Sequence, residues 1–242
     1  MPRFFVDPEQ LGPQFALLTG QQAAHAKVLR LGRGDEVTLC DGLGEDFRCV
    51  ISDMSPEQVC LVIQSREPTE SEPNIHAAVY MAFSKGDKLA HVIQKATELG
   101  AAEILAFPSS RCVAKRDGKA LQKKLPRWRK IAESAAEQSG RGRIPAVEAL
   151  PSYEAALRRA ALADRALFFY ENERAHTLTA ALDGTFSTVS LITGPEGGFS
   201  LEEAEQARAA GLSLCTLGRR ILRCETAPLC ALAAVMFAAG AF

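Results

Sequence analysis

A small β-rich domain followed by an α/β domain on a mostly parallel sheet is what the sequence predicts, and three observations predict it. Residues 1–70 alternate short apolar runs with turns at Gly12-Pro13, Gly32-Arg-Gly34-Asp35 and Asp41-Gly42-Leu-Gly44, the punctuation of short strands. Beyond the polar stretch Ser65-Arg-Glu-Pro-Thr-Glu-Ser-Glu-Pro73, apolar runs of strand length alternate with amphipathic segments of helix length. Two of those later runs end in glycine-bearing turns, Leu191-Ile-Thr-Gly-Pro-Glu-Gly-Gly-Phe-Ser200 and Leu217-Gly-Arg-Arg-Ile-Leu-Arg-Cys-Glu-Thr-Ala227. Turns of that kind, directly after strands, are where an α/β protein builds a ligand site.

In chain order, the first domain is a β-barrel-like unit over 1–70 with one short helix near 21–29, and the polar stretch links it to a second domain over 74–242. Strands are expected at 76–83, 103–107, 166–170, 189–193 and 213–217, with helices at about 86–99, 119–139, 152–163 and 201–210. The helix from 86 carries Leu89, Val92, Ile93, Ala96 and Leu99 at helical spacing, with Ser84 and Asp87 as its start and Gly100 as its stop. Lys95 and Glu98 are expected at its surface or at an interface. The last helix, from Thr226 with Pro228 in its first turn to Ala239, is apolar almost all round, so it must be covered, and a second copy of the chain is the cover expected.

Composition narrows the function classes. With 47% hydrophobic and 24% charged residues in 242, the chain suits one large or two small globular domains. No apolar run reaches the ~18 residues that span a bilayer, and the start has no long apolar leader segment, so a soluble cytoplasmic protein is expected. The seven cysteines are scattered and never spaced Cys-x-x-Cys, which predicts reduced thiols rather than disulfides or zinc. His76, His91 and His176 have no metal-ligand spacing, and no metal is expected.

Gly194, Gly197 and Gly198 can turn their backbone amides flat against a ligand, while Ser200 with Glu203 reads as the capping box of a following helix. The Gly-Lys-Ser/Thr ending of a phosphate loop is absent, as is a dinucleotide fingerprint. What remains is a backbone-lined pocket that recognises shape and hydrogen bonds.

The formal charge of −1 hides an asymmetry: residues 111–143 hold eleven Lys/Arg against three acids, +8 locally, and the remainder carries −9. A run of one sign predicts a polyanion partner. Trp128, the one tryptophan, is placed either to stack on a base or, with Leu125, Ile131, Ala132 and Ala135, in the apolar stripe of a helix.

His25-x-x-Val-Leu-Arg30, Gly34-Asp35, Asp41-Gly42, Lys95-Ala-Thr-Glu-Leu-Gly100, Arg127-Trp-x-Lys-Ile131, Glu137-Gln138-Ser139 and the two glycine turns together resemble, nearly end to end, the RsmE family, which methylates N3 of a uridine in bacterial 16S ribosomal RNA. The resemblance implies a PUA-like RNA-binding barrel over 1–70 and a SPOUT-type α/β methyltransferase domain over 74–242. It also implies a deep trefoil knot at about 166–230, S-adenosylmethionine as cofactor, the small ribosomal subunit as partner, and a homodimer. Cys112 stands where the family usually has serine and Cys224 where it usually has threonine; both replacements keep size and read as tolerated.

On this resemblance the cofactor is held by Phe169, Tyr170, Glu171, Thr193, Gly194, Pro195, Gly197, Gly198, Leu217, Gly218, Ile221, Leu222 and Thr226. Uridine N3 is weakly acidic, so transfer needs a base. Glu225 is favoured over Glu196 for that role, with Arg223, or Arg220, facing the charge that develops on the uracil oxygens. The competing structural role for Glu225 is a first-turn carboxylate complementing a helix dipole. RNA contacts are expected from His25, Lys27, Arg30, Arg111, Lys115, Lys123, Lys124, Arg127, Arg129 and Arg141. The alternatives are a SPOUT methyltransferase acting on another RNA position, a non-catalytic RNA-binding protein and a small-molecule α/β enzyme; the intact turns argue against the second and the +8 tract against the third.

Overall fold

The computed structural model describes residues 1–112 and 118–242. The chain divides into two compact units, Met1–Glu72 with Ala136–Ile144, and Pro73–Ala135 with Pro145–Phe242.

The first unit is a five-stranded sheet in the order β1 (Arg3–Phe5), β3 (Glu36–Cys40), β4 (Glu45–Met54), β5 (Gln58–Pro68), β2 (Phe15–Thr19). Its pairs are antiparallel except β1 with β3. Alternation sends Val37, Leu39, Phe47, Ile51, Val59 and Leu61 into one core with Phe4 and Leu18, and α1 (Gly20–Val28) adds Ala23 and Ala26. The β3–β4 turn is held by Asp41, whose Oδ1 accepts from the amides of Leu43, Gly44 and Glu45 at 2.8, 3.0 and 3.0 Å.

Segment 136–144 is pinned to this unit by Glu72. The Arg141 guanidinium donates to both Glu72 oxygens, at 2.6 and 3.2 Å, and the amides of Gly142 and Arg143 donate to Oε1. A side chain at Gly142 would place its Cβ 2.2 Å from Thr69 Cγ2, so the strap lies flush against the unit. Arg141 is 4% exposed. The guanidinium expected to contact RNA is instead turned inward onto Glu72, whose carboxylate keeps a fifth of its surface in solvent.

The second unit is a six-stranded, wholly parallel sheet in the order β11 (Ser213–Cys215), β9 (Arg165–Phe169), β10 (Thr188–Thr193), β6 (His76–Ala82), β7 (Glu103–Phe107), β8 (Ala146–Ala149). Parallel strands need helical crossovers on both faces, and two apolar layers result. α2 (Lys88–Glu98), α3 (Gly118–Ser139) and α7 (Ala227–Ala238) put Leu89, Val92, Ile93, Trp128, Ala132, Leu232, Val235 and Met236 on one face. α4 (Tyr153–Ala160) and α6 (Leu201–Ala209) put Tyr153, Ala156, Leu157, Ala204 and Ala207 on the other. Trp128 is 3% exposed in the first layer, so it is core and offers no ring to a base.

The five strands expected from the sequence in this unit are present to within a few residues. β8 and the four-residue α5 (Leu178–Ala181) are additions to that expectation. α2 begins two residues later than expected, with Asp87 rather than Ser84 at its cap, and Lys95 pairs with Glu98 at 2.7 Å.

Candidate functional site

Because the sheet is all parallel, the turns after β6, β9, β10 and β11 leave it at the same end, and they enclose a cavity of about 550 Å³. The turn after β10 is anchored by Phe199, whose ring lies 4.2 Å from that of Phe168 and is fully buried. Ser200 then caps α6: its hydroxyl accepts from the Glu203 amide at 3.1 Å, and Glu203 accepts from the Ser200 amide at 2.9 Å. The other Glu203 oxygen accepts from the Ser110 amide at 2.7 Å, so one buried carboxylate fixes two loops. Both sequence readings of this turn hold together: a capped helix behind, glycines facing the cavity in front.

At Gly198 φ is +64° and a Cβ would meet Glu171 Oε1 at 2.3 Å, a backbone shape and closeness that only glycine meets without rearrangement. Arg111 packs on the opposite side of the turn, its Nη1 donating to the Gly197 carbonyl at 3.0 Å.

Of the residues expected to hold a cofactor, Phe169, Tyr170, Glu171, Thr193, Gly194, Pro195, Gly197, Gly198, Leu217, Gly218, Ile221 and Leu222 all line this cavity. Thr226 does not: it is the exposed cap of α7, and Ala227 stands on the wall in its place. Glu196, Arg220 and Arg223 also line it. Glu225 is not on the wall itself and reaches it through Lys88. The Lys88 ammonium lies 3.2 Å from Glu196 Oε1, 3.3 Å from Glu225 Oε2 and 3.6 Å from Cys224 Sγ.

Lys88, Cys215, Thr216 and Cys224 belong to the cavity, and the sequence reading does not place them there. The usable signal for Lys88 is its position, with Gly86, just beyond the end of a parallel strand; its helical apolar pattern draws attention to packing instead.

Each charge in this cluster has an opposite partner, with one ammonium between two carboxylates. Desolvation works against the Lys88 ammonium, but Glu196, Cys224 and Glu225 outweigh it and raise its pKa. Desolvation likewise pushes Glu196 up, and its own amide, the Lys85 amide and Lys88 more than reverse that, holding it below the usual glutamate range. Glu225 is also held low, first by its own amide, then, against some desolvation, by Cys224 and Lys88. Burial pushes the Cys224 thiol up to about 11, with the Glu225 hydrogen bond and Glu196 adding to it, so it is neutral near pH 7.

The expected RNA-contact residues do not gather so neatly. His25, Lys27 and Arg30 are exposed at the end of α1, with the Lys27 ammonium donating to the Pro56 carbonyl. Lys123, Lys124 and Arg127 are exposed on α3; Arg127 pairs with Asp87 at 3.2 Å. Arg129 donates to the Val147 carbonyl and Arg111 to the cavity turn. Lys115 lies outside the described residues. Among the described residues no cluster of His, Cys, Asp or Glu could hold a metal ion, and no helix is long and apolar enough to cross a membrane.

Comparison with known proteins adds to this geometry. Residues 70–236 match an RNA methyltransferase domain family and residues 18–64 an RNA methyltransferase PUA domain. A ribosomal RNA small subunit methyltransferase E of Bacillus subtilis (strain 168) is 36% identical, with 98% of this chain and 96% of that protein covered. One of Mycobacterium tuberculosis is 32% identical over 96% of this chain and 90% of its own length. Among solved structures, a ribosomal RNA small subunit methyltransferase E of Neisseria gonorrhoeae bound to S-adenosyl methionine has a TM-score of 0.85 at 32% identity, covering 98% of this chain and 97% of its own. A methyltransferase of Legionella pneumophila in complex with the same cofactor has a TM-score of 0.87 at 31% identity, with the same coverage.

Proposed function

The chain belongs to the ribosomal RNA small subunit methyltransferase E family of RNA methyltransferases, and from that premise we propose that it methylates N3 of a uridine in 16S ribosomal RNA, using the cavity at the ends of β9, β10 and β11 as the donor site. It is an enzyme that methylates ribosomal RNA with S-adenosylmethionine. The observation that carries the site assignment is the convergence of the turns after β6, β9, β10 and β11 on one cavity of about 550 Å³.

The residues present fit the donor. Leu217 and Leu222 offer apolar contact, the Gly218 backbone leaves open space where a Cβ would stand, and Glu171 and Glu196 face the cavity with negative charge, which suits a cationic ligand. When bound, S-adenosylmethionine supplies a methyl group already activated by its sulfonium. The protein must then align the acceptor and remove the N3 proton.

Glu225 takes that proton in this reading. Glu196 is already committed to the Lys85 amide at 3.0 Å and to Lys88, whereas Glu225 is held by Lys88 and the neutral Cys224 thiol, partners that an incoming N3–H can displace. Arg223 and Arg220, both exposed on the wall, face the uracil oxygens as they gain negative charge. Phosphates of the substrate meet Lys123, Lys124 and Arg127 on α3, His25 and Lys27 on α1, and Arg30 just after it.

The segment between β11 and α7 joins the edge strand to a helix packed on β6 and β10, which supports its being the knotted passage of the resembled fold. The exposed Phe237 and Cys230 on the wholly apolar α7 support a homodimer through that helix. A ribosomal substrate makes the cytoplasm the compartment in which the protein acts.

The test is transfer of labelled methyl from S-adenosylmethionine to small ribosomal subunits lacking the modification, with free 16S RNA alongside, followed by nucleoside analysis. Label in 3-methyluridine is the expected result; label in another nucleoside overturns the N3-uridine assignment.

A further inference from the structure

Lys88 is the first residue of α2, just beyond the turn that follows β6. Its ammonium bridges Glu196, on the turn after β10, and Glu225, on the turn after β11. One flexible cation therefore joins two acidic groups that the chain brings from separate turns. We propose that Lys88 is a positioning residue for methyl transfer: it holds the Glu225 carboxylate at the edge of the donor cavity and releases it to the acceptor base while keeping Glu196 as its anchor. The inference rests on the reading above in which Glu225 accepts the N3 proton.

Two carboxylates around one point disfavour each other's ionised form, and without a cation between them one of the pair binds a proton more readily. A proton already on Glu225 would leave it unable to accept another. Lys88 removes that conflict, and the ammonium with two carboxylates leaves one net negative charge beside a cavity for a cationic donor. A lysine suits exchange of partners: its ammonium has three rotatable donors on a long stem, with no fixed fork to break.

The other groups around the cluster do not take over this role. Asp87 is engaged by Arg127 at 3.2 Å, the Cys224 thiol is neutral, the Lys85 contact to Glu196 is through its amide, and among the described residues Lys88 alone forms an ion pair with Glu196 or Glu225, while Arg220 and Arg223 line the cavity without one. Arg111 is bonded to the Gly197 carbonyl.

Removing the Lys88 charge makes the ionised form of Glu225 less favourable, so its pKa rises and the acid limb of the rate against pH moves up. For Lys88→Met we expect transfer to fall about 10-fold or more, with the acid limb displaced upward by about 0.5–1 pH unit. Donor affinity measured by calorimetry should not fall, because the change removes a positive charge beside a cavity for a cationic ligand. Lys88→Arg should restore part of the rate and return the limb. In a Glu225→Gln background, Lys88→Met should add little.

Lys88→Gln, which keeps a hydrogen-bond donor and most of the length, gives the same limb measurement if the methionine variant does not fold. A limb that stays in place in the uncharged variants, at whatever rate, overturns the proposal and leaves Lys88 as packing. Glu225→Gln at full rate overturns the proton-acceptor reading and this inference with it. A slow Glu225→Gln beside an unmoved Lys88 limb overturns this inference alone.

Discussion

The glycine turns after β10 and β11 and the basic tract over 111–143 both stand out in the sequence, yet the fold treats them differently. Twelve residues expected from the turns and from the end of β9 line one cavity. The tract instead scatters: Arg141 is buried against Glu72, Arg111 and Arg129 are bonded to carbonyls, and Lys123, Lys124 and Arg127 remain exposed. A glycine turn acts through its own backbone, so its role is written in adjacent residues. A charge acts through whatever partner the fold brings to it, and that partner lies far away in sequence.

The largest expected effect is on the turn side. Glu225→Gln should lower methyl transfer by ~10²–10⁴, with donor affinity by calorimetry nearly unchanged; near wild-type turnover would remove it from the chemistry. With a carboxylate held below its usual range as the base, wild-type rate should stay level as pH falls from neutrality and decline only below the ordinary glutamate range. A decline centred near neutral pH would point to another group.

Next comes Arg141→Ala, which leaves Glu72 half stripped of its partners and should cost about 2–3 kcal/mol of stability, read as a lowered Tm, with no change in the salt dependence of RNA binding. A flattened salt slope instead would return Arg141 to the RNA surface. Gly198→Ala, forced to φ +64° against Glu171, should weaken donor binding by roughly 10-fold; unchanged affinity would mean the turn has room to shift. Smallest is Lys123→Glu with Lys124→Glu, which should leave Tm in place and reduce the salt slope by about 1 for each phosphate no longer neutralised. An unaltered slope would assign that face to something other than RNA.

The same division explains what is legible in the sequence. The five strands with strong apolar runs and the long helices can be read because period and length are local. β8 is a four-residue edge strand and α5 one helical turn, too short for any period to show. The capping box at Ser200 and Glu203 is readable, but the second use of Glu203, on Ser110, is not, since it depends on a loop 93 residues away. Lys88 is hidden for the same reason: its partners at 196 and 225 become neighbours only when the turns converge. Thr226 misses the wall by one residue, because where a helix starts decides which side chain faces inward.

The all-parallel order of the second sheet has a practical side for anyone labelling this protein. Every turn that enters a strand at its beginning lies at the far end of the sheet from the cavity, among them the exposed turn at Asp183, Gly184 and Thr185 before β10. A fluorophore or a short affinity tag inserted there sits a full strand length from the donor site, and it offers a place to watch binding without touching the groups that do the chemistry.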